Sequence, residues 1–465
     1  MKKYPKYKSS GISWLGDIPE HWEVRRNKYI FQERNEKSVK GTEELLTVSQ
    51  YTGITKRKDK VLGENKLLTN ASSLEGYKTV HKNDLVINIM LAWNGSLGIS
   101  PYHGITSPAY SVFSIRNKNE NFSNFFHYTF RTKIYHSIFK TVSTGVIDSR
   151  LRLYPDDFFK LTTLLPPLQE QIQIARFLDW KVGQINKFIK TKKHILELLK
   201  EQKQVIINDV VTGKIDVRTG KPYPKYKASA VEWLGDIPEE WEVLPIKRLS
   251  KAVKTGSTPP GADDKYYSSE GINWFTPGDF SDETELRNSK RQLSALGVSA
   301  VNIFPPKTVY MNGIGSIGKV GICLDSASCN QQINAIITNE KISPYYLLYC
   351  IKSAKQFIIS FGKFTTLPII NQEETKSLIF PVPSKDGQKV IVSYIQEKTE
   401  ATDRAISRIE REIELIKEYK ERLIADVVTG ILAIRGVEVP EVIEDIEEEL
   451  PEDEPEEIEN KEGVE

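Results

Sequence analysis

The chain has 465 residues, 39% of them hydrophobic and 27% charged, which is too long for one core and ordinary for a globular protein of two or three domains. No apolar run approaches the roughly eighteen residues that cross a bilayer, and the opening "MKKYPKYKSSG" has no apolar stretch behind its lysines, so a cytoplasmic chain without membrane contact is expected. The formal charge of +2 hides a division: residues 438–465 hold 15 acidic residues and one lysine, whereas residues 1–437 hold 63 basic and 47 acidic residues and suit an anionic partner such as nucleic acid.

In chain order, the first feature is a lead-in, "YPKYKSSGISWLGDIPEHWEV" at 4–24, which returns at 223–243 as "YPKYKASAVEWLGDIPEEWEV" with 16 identities in 21 positions. A variable stretch follows the first copy. "DLVINIMLAW" (84–93) reads as a strand running into the Gly-Ser turn "NGSLG", "YSVFSI" as another strand, and 122–139 as an aromatic-rich helix. Pro166-Pro167 then opens a long helical segment that ends at "DVVTG", where Gly213 suits a left-handed stop. After the second lead-in the order repeats with different residues: a strand "TVYMNGIG" (308–315), a turn "GSIGKVG", a strand "INAIIT" and an aromatic helix at 344–359. Pro381 and Pro383 open the second long segment, whose "DVVTG" ends at Gly430. The acidic segment 438–465 has too little apolar surface to fold. Cys323, Cys329 and Cys350 are odd in number and fit reduced thiols; a C-x5-C spacing without a nearby histidine is a poor zinc site.

The two helical segments carry a seam. Val182, Ile189, Leu196, Lys203 and Val210 alternate with Leu178, Ile185, Lys192, Leu199 and Ile206 at heptad spacing. In the second segment Thr399, Ile406, Ile413, Lys420 and Val427 alternate with Ile395, Thr402, Ile409, Ile416 and Leu423. Two matched helices about 65 Å long are expected to pair. The second variable domain, about 40 Å across, connects the end of one helix to the start of the other, which an antiparallel pair permits and a parallel pair does not. The expected fold is mixed α/β: two globular domains separated by two long antiparallel coiled-coil helices, with a pseudo-two-fold internal repeat. The segments are 1–167 and 219–383 (globular), 168–218 and 384–437 (helical) and 438–465 (acidic tail).

The duplicated "WLGDIP…WEV" lead-ins, the Pro-rich entries into long helices and the "DVVTG" ends closely resemble the specificity subunit of type I restriction–modification systems, over residues 4–437. The resemblance implies that each variable stretch is a target-recognition domain reading one half of a split double-stranded DNA sequence. It further implies that the helices act as spacer and dock two modification subunits, which methylate adenine with S-adenosylmethionine. Restriction subunits, using ATP and Mg²⁺, would complete the complex. By this resemblance the chain itself is a DNA-recognition subunit with no catalytic residue, metal or cofactor. The competing readings are a coiled-coil scaffold without a nucleic-acid role, which the basic body and dissimilar end domains disfavour, and a nucleotide-dependent enzyme.

Residues bear on that last reading. "GIGSIGKV" (313–320) fits G-x-G-x-x-G and nearly a phosphate loop, but Val320 stands where the Mg²⁺-binding Ser or Thr is needed. A tight turn offering Lys319 to a DNA phosphate and a purely structural turn both remain. No Asn-Pro-Pro-Tyr or Asp-Pro-Pro-Tyr sequence is present. Asp156-Asp157 after a proline reads as a helix start, and His127 and His136 share no ligand face. Candidate DNA contacts are polar and basic loop residues: Gln50, Lys56, Arg57, Lys58, Asn94, Ser96, Ser143, Arg150 and Arg152 in the first half, and Lys254, Ser257, Thr258, Lys319, Lys363 and Thr365 in the second. Gln, Asn and Arg can bond base edges bidentately, while Lys mostly meets phosphate. Trp14, Trp22, Trp233 and Trp241 read as packing anchors. Residues 1–167 carry 25 basic and 15 acidic residues against 18 and 16 in 219–383, so the first domain should lean harder on phosphates.

Overall fold

The computed structural model describes residues 2–57, 73–147, 150–260, 264–361, 363–364 and 368–440; most of the acidic segment, 441–465, lies outside the described residues. Two compact units divide the chain. Unit 1 takes the described residues up to Thr191 and those from Glu412 onward, and unit 2 takes Lys192–Arg411. This division cuts across both helical segments, because each unit contains part of each.

Unit 1 contains the strands Phe31–Glu33 (β1), Leu46–Ser49 (β2), Gly53–Lys56 (β3), Leu85–Ile87 (β4), Leu97–Ile99 (β5) and Ser111–Ile115 (β6). Four of them form an antiparallel sheet in the order β1-β6-β4-β5, with β2 and β3 paired as a separate hairpin. All three residues of β4 are buried, as a continuous apolar run inside a sheet requires. The strand expected over 84–93 stops at Ile87, since the Asn88 carboxamide accepts the Met90 N–H and turns the chain. The expected aromatic helix is two helices, Ser123–Phe130 (α1) and Lys133–Val142 (α2), broken at Arg131 with φ −92° and ψ 9°. Their rings make the core: Phe126 lies 5.1 Å from Phe31, and Phe130 5.7 Å from Phe158, which lies 4.8 Å from Phe113. Pro155 opens a short helix whose first turn holds Asp156 and Asp157. The chain then enters the 44-residue helix Leu168–Val211 (α3).

Unit 2 repeats the plan with other residues. Ser250–Thr255 (β7), Thr308–Asn312 (β8), Val320–Cys323 (β9) and Ile333–Thr338 (β10) form an antiparallel sheet in the order β7-β10-β8-β9, the strand order of unit 1. The aromatic helix again divides, into Pro344–Ser353 (α4) and Lys355–Phe361 (α5), at Ala354 with φ −82° and ψ 7°. Among the described residues a second small sheet is found in unit 2 alone: Tyr267–Ser268, Gln292–Leu293 and Ile272–Phe275, with Ser328–Cys329 added in parallel. The three cysteines are free and buried. The second 44-residue helix is Lys385–Val428 (α6). Among the described residues no helix is long and apolar enough to cross a membrane.

Within each unit α3 and α6 run antiparallel. In unit 2, Lys203 meets Asp403 at 2.5 Å and Lys200 meets Glu410 at 3.4 Å, one number falling as the other rises. In unit 1, Lys420 donates to Asn186 at 3.2 Å and Gln173 to the carbonyl of Ile434 at 3.4 Å. The seam is apolar around these lysines: Ile185, Ile189, Ile413 and Leu423 are buried in unit 1, and Val210, Ile395, Ile406 and Ile409 in unit 2. Lys203 and Lys420 occupy matching repeat positions, yet one faces a carboxylate and the other a neutral amide. Burial accordingly pulls the Lys420 ammonium below its ordinary pKa.

The lead-ins seal the helix ends. In unit 2 the Tyr226 hydroxyl donates to the carbonyls of Gly213 at 3.1 Å and Lys214 at 3.2 Å; in unit 1 Tyr7 does the same to Gly430 at 3.1 Å and Ile431 at 3.3 Å. These are orphan carbonyls past a helix terminus, and a hydroxyl satisfies them. Both glycines are left-handed, at φ +76° and +78°. A Cβ on Gly213 would stand 2.3 Å from Pro238, and one on Gly430 2.5 Å from Pro19. The buried Trp241 and Trp22 close over the same spots. Trp14 is more open, meeting Tyr135 edge-on at 5.7 Å, and Trp233 packs on Phe357 and Phe380. The first lead-in therefore caps the second long helix, and Lys2 bridges to Ala433. At that seam the buried Glu170 accepts from Tyr4 at 2.6 Å and meets His21 at 2.7 Å and Arg435 at 3.4 Å. Burial alone would raise the Glu170 carboxyl, but these partners hold it below its usual pKa.

Two outcomes are expected. Gly213→Ala and Gly430→Ala should each destabilise by about 2–4 kcal/mol, from left-handed strain plus overpacking against proline, read by calorimetric or urea unfolding. Asn186→Asp gives Lys420 a carboxylate and should add about 0.2–1 kcal/mol near neutral pH. That gain should disappear as pH falls and the new carboxylate protonates, read as a melting-temperature difference from wild type across pH.

Candidate nucleic-acid interface

In unit 1 two loops far apart in sequence are stapled together. The break between α1 and α2 frees the Arg131 side chain to reach both. Its Nη1 donates to the carbonyls of Leu97 at 2.7 Å, Gly95 at 3.2 Å and Ser49 at 3.3 Å, and its Nη2 to those of Tyr51 at 2.7 Å and Gln50 at 2.9 Å. The guanidinium thus ties the β2–β3 turn to the β4–β5 turn, and on top of that junction Asn94 Nδ2 donates to Gln50 Oε1. His127 and His136 lie beneath. Their burial, followed by the charge of Arg131, pushes them down to about 3 and about 4, so both stay neutral. The His136 ring would stand 2.6 Å from a Cβ at Gly95, whose φ of +87° already favours glycine. Both prop the loops, His127 Nδ1 accepting the Ile99 N–H at 3.3 Å and His136 standing beside Gly95.

The other candidates of this half fall around that platform. Asn94 is exposed and Gln50 half-buried. Lys56 lies over the Tyr102 ring at 5.1 Å, and the Arg57 N–H donates to the carbonyl of Leu45 at 2.9 Å. Ser96 is a correction: it is 1% exposed, inside the turn, and so is removed from a surface role in this conformation. Ser143 ends α2, its hydroxyl donating to the carbonyl of Phe139 at 2.6 Å, and Arg150 is exposed. Arg152 is half-buried, paired through its backbone with Thr144. Lys58 lies outside the described residues.

In unit 2 the Ser257 N–H donates to the carbonyl of Cys329 at 2.9 Å, which sets the loop after β7 against the loop before β10. There the Thr258 hydroxyl bonds the exposed Gln331 amide at 2.5 Å, and the Gly313 N–H donates to the carbonyl of Gln332 at 2.8 Å. Lys254 is exposed on β7. Lys319 is half-buried in the turn 313–319, and its charge helps hold the Asp282 carboxyl low, after the hydrogen bond from Lys200 and the charges of Lys200 and Lys352. That turn joins two antiparallel strands, β8 and β9. A phosphate loop opens a helix whose N-terminal amides face the nucleotide, so this turn lacks the geometry as well as the Ser or Thr. Lys363 lies in the strand Lys363–Phe364, and Thr365 lies outside the described residues.

Sequence reasoning missed Arg131 and the polar run Asn330-Gln331-Gln332. The run was findable, as three amide side chains in a row between two apolar strands suit base edges better than a core. Arg131 left no such signal, since its partners are backbone carbonyls on distant loops.

Comparison with known proteins agrees with this architecture. The family profile described as the type I restriction modification DNA specificity domain matches residues 238–415. The type I restriction enzyme MjaVIII specificity subunit of Methanocaldococcus jannaschii is 25% identical over 452 residues, covering 90% of this chain and 95% of that protein. The type I restriction enzyme EcoBI specificity subunit of Escherichia coli is 22% identical over 290 residues, 60% of each chain. A solved structure concerned with complex assembly and conformational transition of the type I R-M system shares the fold, with a TM-score of 0.60 at 13% identity over 89% of this chain and 99% of that one. Along most of its length the chain is thus similar to the specificity subunits of type I restriction–modification systems.

Proposed function

We propose that the chain is a specificity subunit of a type I restriction–modification system, that it reads a bipartite double-stranded DNA target, one half-site per unit, and that it supplies no catalytic group itself. The observation that carries the reading is the repeated sheet: both units have the same strand order and the same broken helix, and present unlike loops from it. A shared frame with different polar loops suits two readers of different sequences. In unit 1 the reading surface is the stapled Gln50–Asn94 junction with Lys56, Arg57 and Arg150; in unit 2 it is Lys254, Thr258, Gln331 and Lys319.

The long helices are proposed to dock two modification subunits, and restriction subunits in the full complex. Leu198 in unit 2 and Leu415 in unit 1 support this, being matching repeat positions that stand 50% and 47% exposed. S-adenosylmethionine, ATP and Mg²⁺ would act on those partner subunits, in the cytoplasm. Adenine methylation is then the partners' chemistry, directed by where this chain binds.

Exchanging residues 25–160 for those of a relative should change one half-site of the methylated motif and leave the other intact, read by methylome sequencing of cells carrying the complex. Loss of both half-sites in a folded chimera would count against separate readers. Lys319→Ala should weaken DNA binding modestly and flatten its log–log salt dependence by about one unit. An unchanged slope would remove Lys319 from the phosphate contacts.

A further inference from the structure

We propose that Gln50 and Asn94 act as one composite amide that reads a single adenine through the major groove, with Arg131 as the residue that positions both. The inference rests on the DNA-reading function above and names what one part of that surface recognises.

A lone carboxamide reads adenine bidentately by offering one donor to N7 and one acceptor to N6–H. Here two carboxamides share one hydrogen bond, from Asn94 Nδ2 to Gln50 Oε1. That bond leaves Gln50 Nε2 as a donor and Asn94 Oδ1 as an acceptor, with no further protein partner for either among the described residues. Turning both amides over reverses the roles but still leaves one donor and one acceptor. Guanine offers two acceptors at this edge, cytosine one donor, and thymine one acceptor beside a methyl group, so adenine alone matches the pair.

The junction is built for this rather than a chance contact of two mobile loops. Arg131 clamps five carbonyls, on both sides of the pair. Preorganised loops lose less entropy on binding, which sharpens discrimination. Cations flank the pair: Lys140 lies over Trp93, next to Asn94, at 5.3 Å, and Lys56 stands on the hairpin that carries Gln50.

The test uses the full chain co-expressed with its modification subunits in cells lacking other adenine methylation, with the methylated motif read by long-read sequencing. Gln50→Ala and Asn94→Ala should each relax one adenine position of one half-site, by roughly 5- to 150-fold in preference. Asn94→Asp leaves two acceptors facing the groove and should shift that position from adenine toward cytosine, whose N4 amino group donates. Arg131→Lys keeps the charge but loses the fork. It should relax the same position while leaving the salt slope of DNA binding at its wild-type value, whereas a phosphate-contacting or merely structural arginine would not separate these readouts. An unchanged motif in Gln50→Ala and Asn94→Asp would overturn the inference, as would relaxation at another position or in both half-sites. Asn94 is exposed and Gln50 half-buried, and urea unfolding of each variant separates lost folding from lost reading. If the wild-type complex yields no sequence-specific motif, the DNA-reading assignment itself fails, which is distinguishable from failure of the adenine pair.

Discussion

Everything in this chain depends on how a helix end is finished. Each long helix stops at a glycine in a left-handed turn, and a tyrosine hydroxyl, a proline and a tryptophan from a lead-in close over it. The contact allows no extra atom at the glycine and meets the carbonyls of the glycine and the residue after it. It also fixes partnership, since the lead-in that caps a helix end belongs to the other copy in one unit and follows directly in the other. Lead-in one must fit helix end two, and lead-in two helix end one. Both pairings use the same geometry, so the two lead-ins and the two "DVVTG" ends are constrained to remain alike, whatever the stretches between them read.

Those stretches are free to differ because the sheet and broken helix need only apolar residues in the right places. Phe126 and Phe130 fill the core of one unit, and Tyr346 and Leu347 are buried in the other. What the frame supports is local. Unit 1 builds its junction around a guanidinium and two neutral histidines. Unit 2 uses a hydroxyl–amide contact between Thr258 and Gln331 and a small sheet of its own. Residues 1–167, which hold the unit 1 junction, also carry the larger positive excess, 25 basic against 15 acidic residues.

The sequence made the repeated parts easy to read, because a tight multi-residue contact leaves a long identical string, and the heptad seam survives as a period. The sheet was legible in outline from buried runs such as "LVI" and "INAIIT". The helix breaks were not, since the aromatic pattern runs straight through Arg131 and Ala354, and only the finished fold sets those residues near ψ 0°. Of the candidate contacts, Gln50 and Asn94 were found as polar residues in Gly turns, but their meeting was invisible at a separation of 44 residues. Ser96 looked like a surface residue by composition and is buried, because the turn folds inward over it.

The seam between Lys2 and Ala433 also sets an order of events during synthesis. Unit 2 is contiguous in sequence and is complete once Arg411 has emerged, whereas unit 1 waits for the residues after it. The first lead-in is therefore made long before the helix end it caps, with 423 residues separating Tyr7 from the carbonyl it will bond. At about 5–20 residues per second, Trp22 and Pro19 go about 20–80 s without the helix end that covers them. A ribosome that stops between Arg411 and the second "DVVTG" leaves a finished second unit joined to a first whose lead-in is still uncapped.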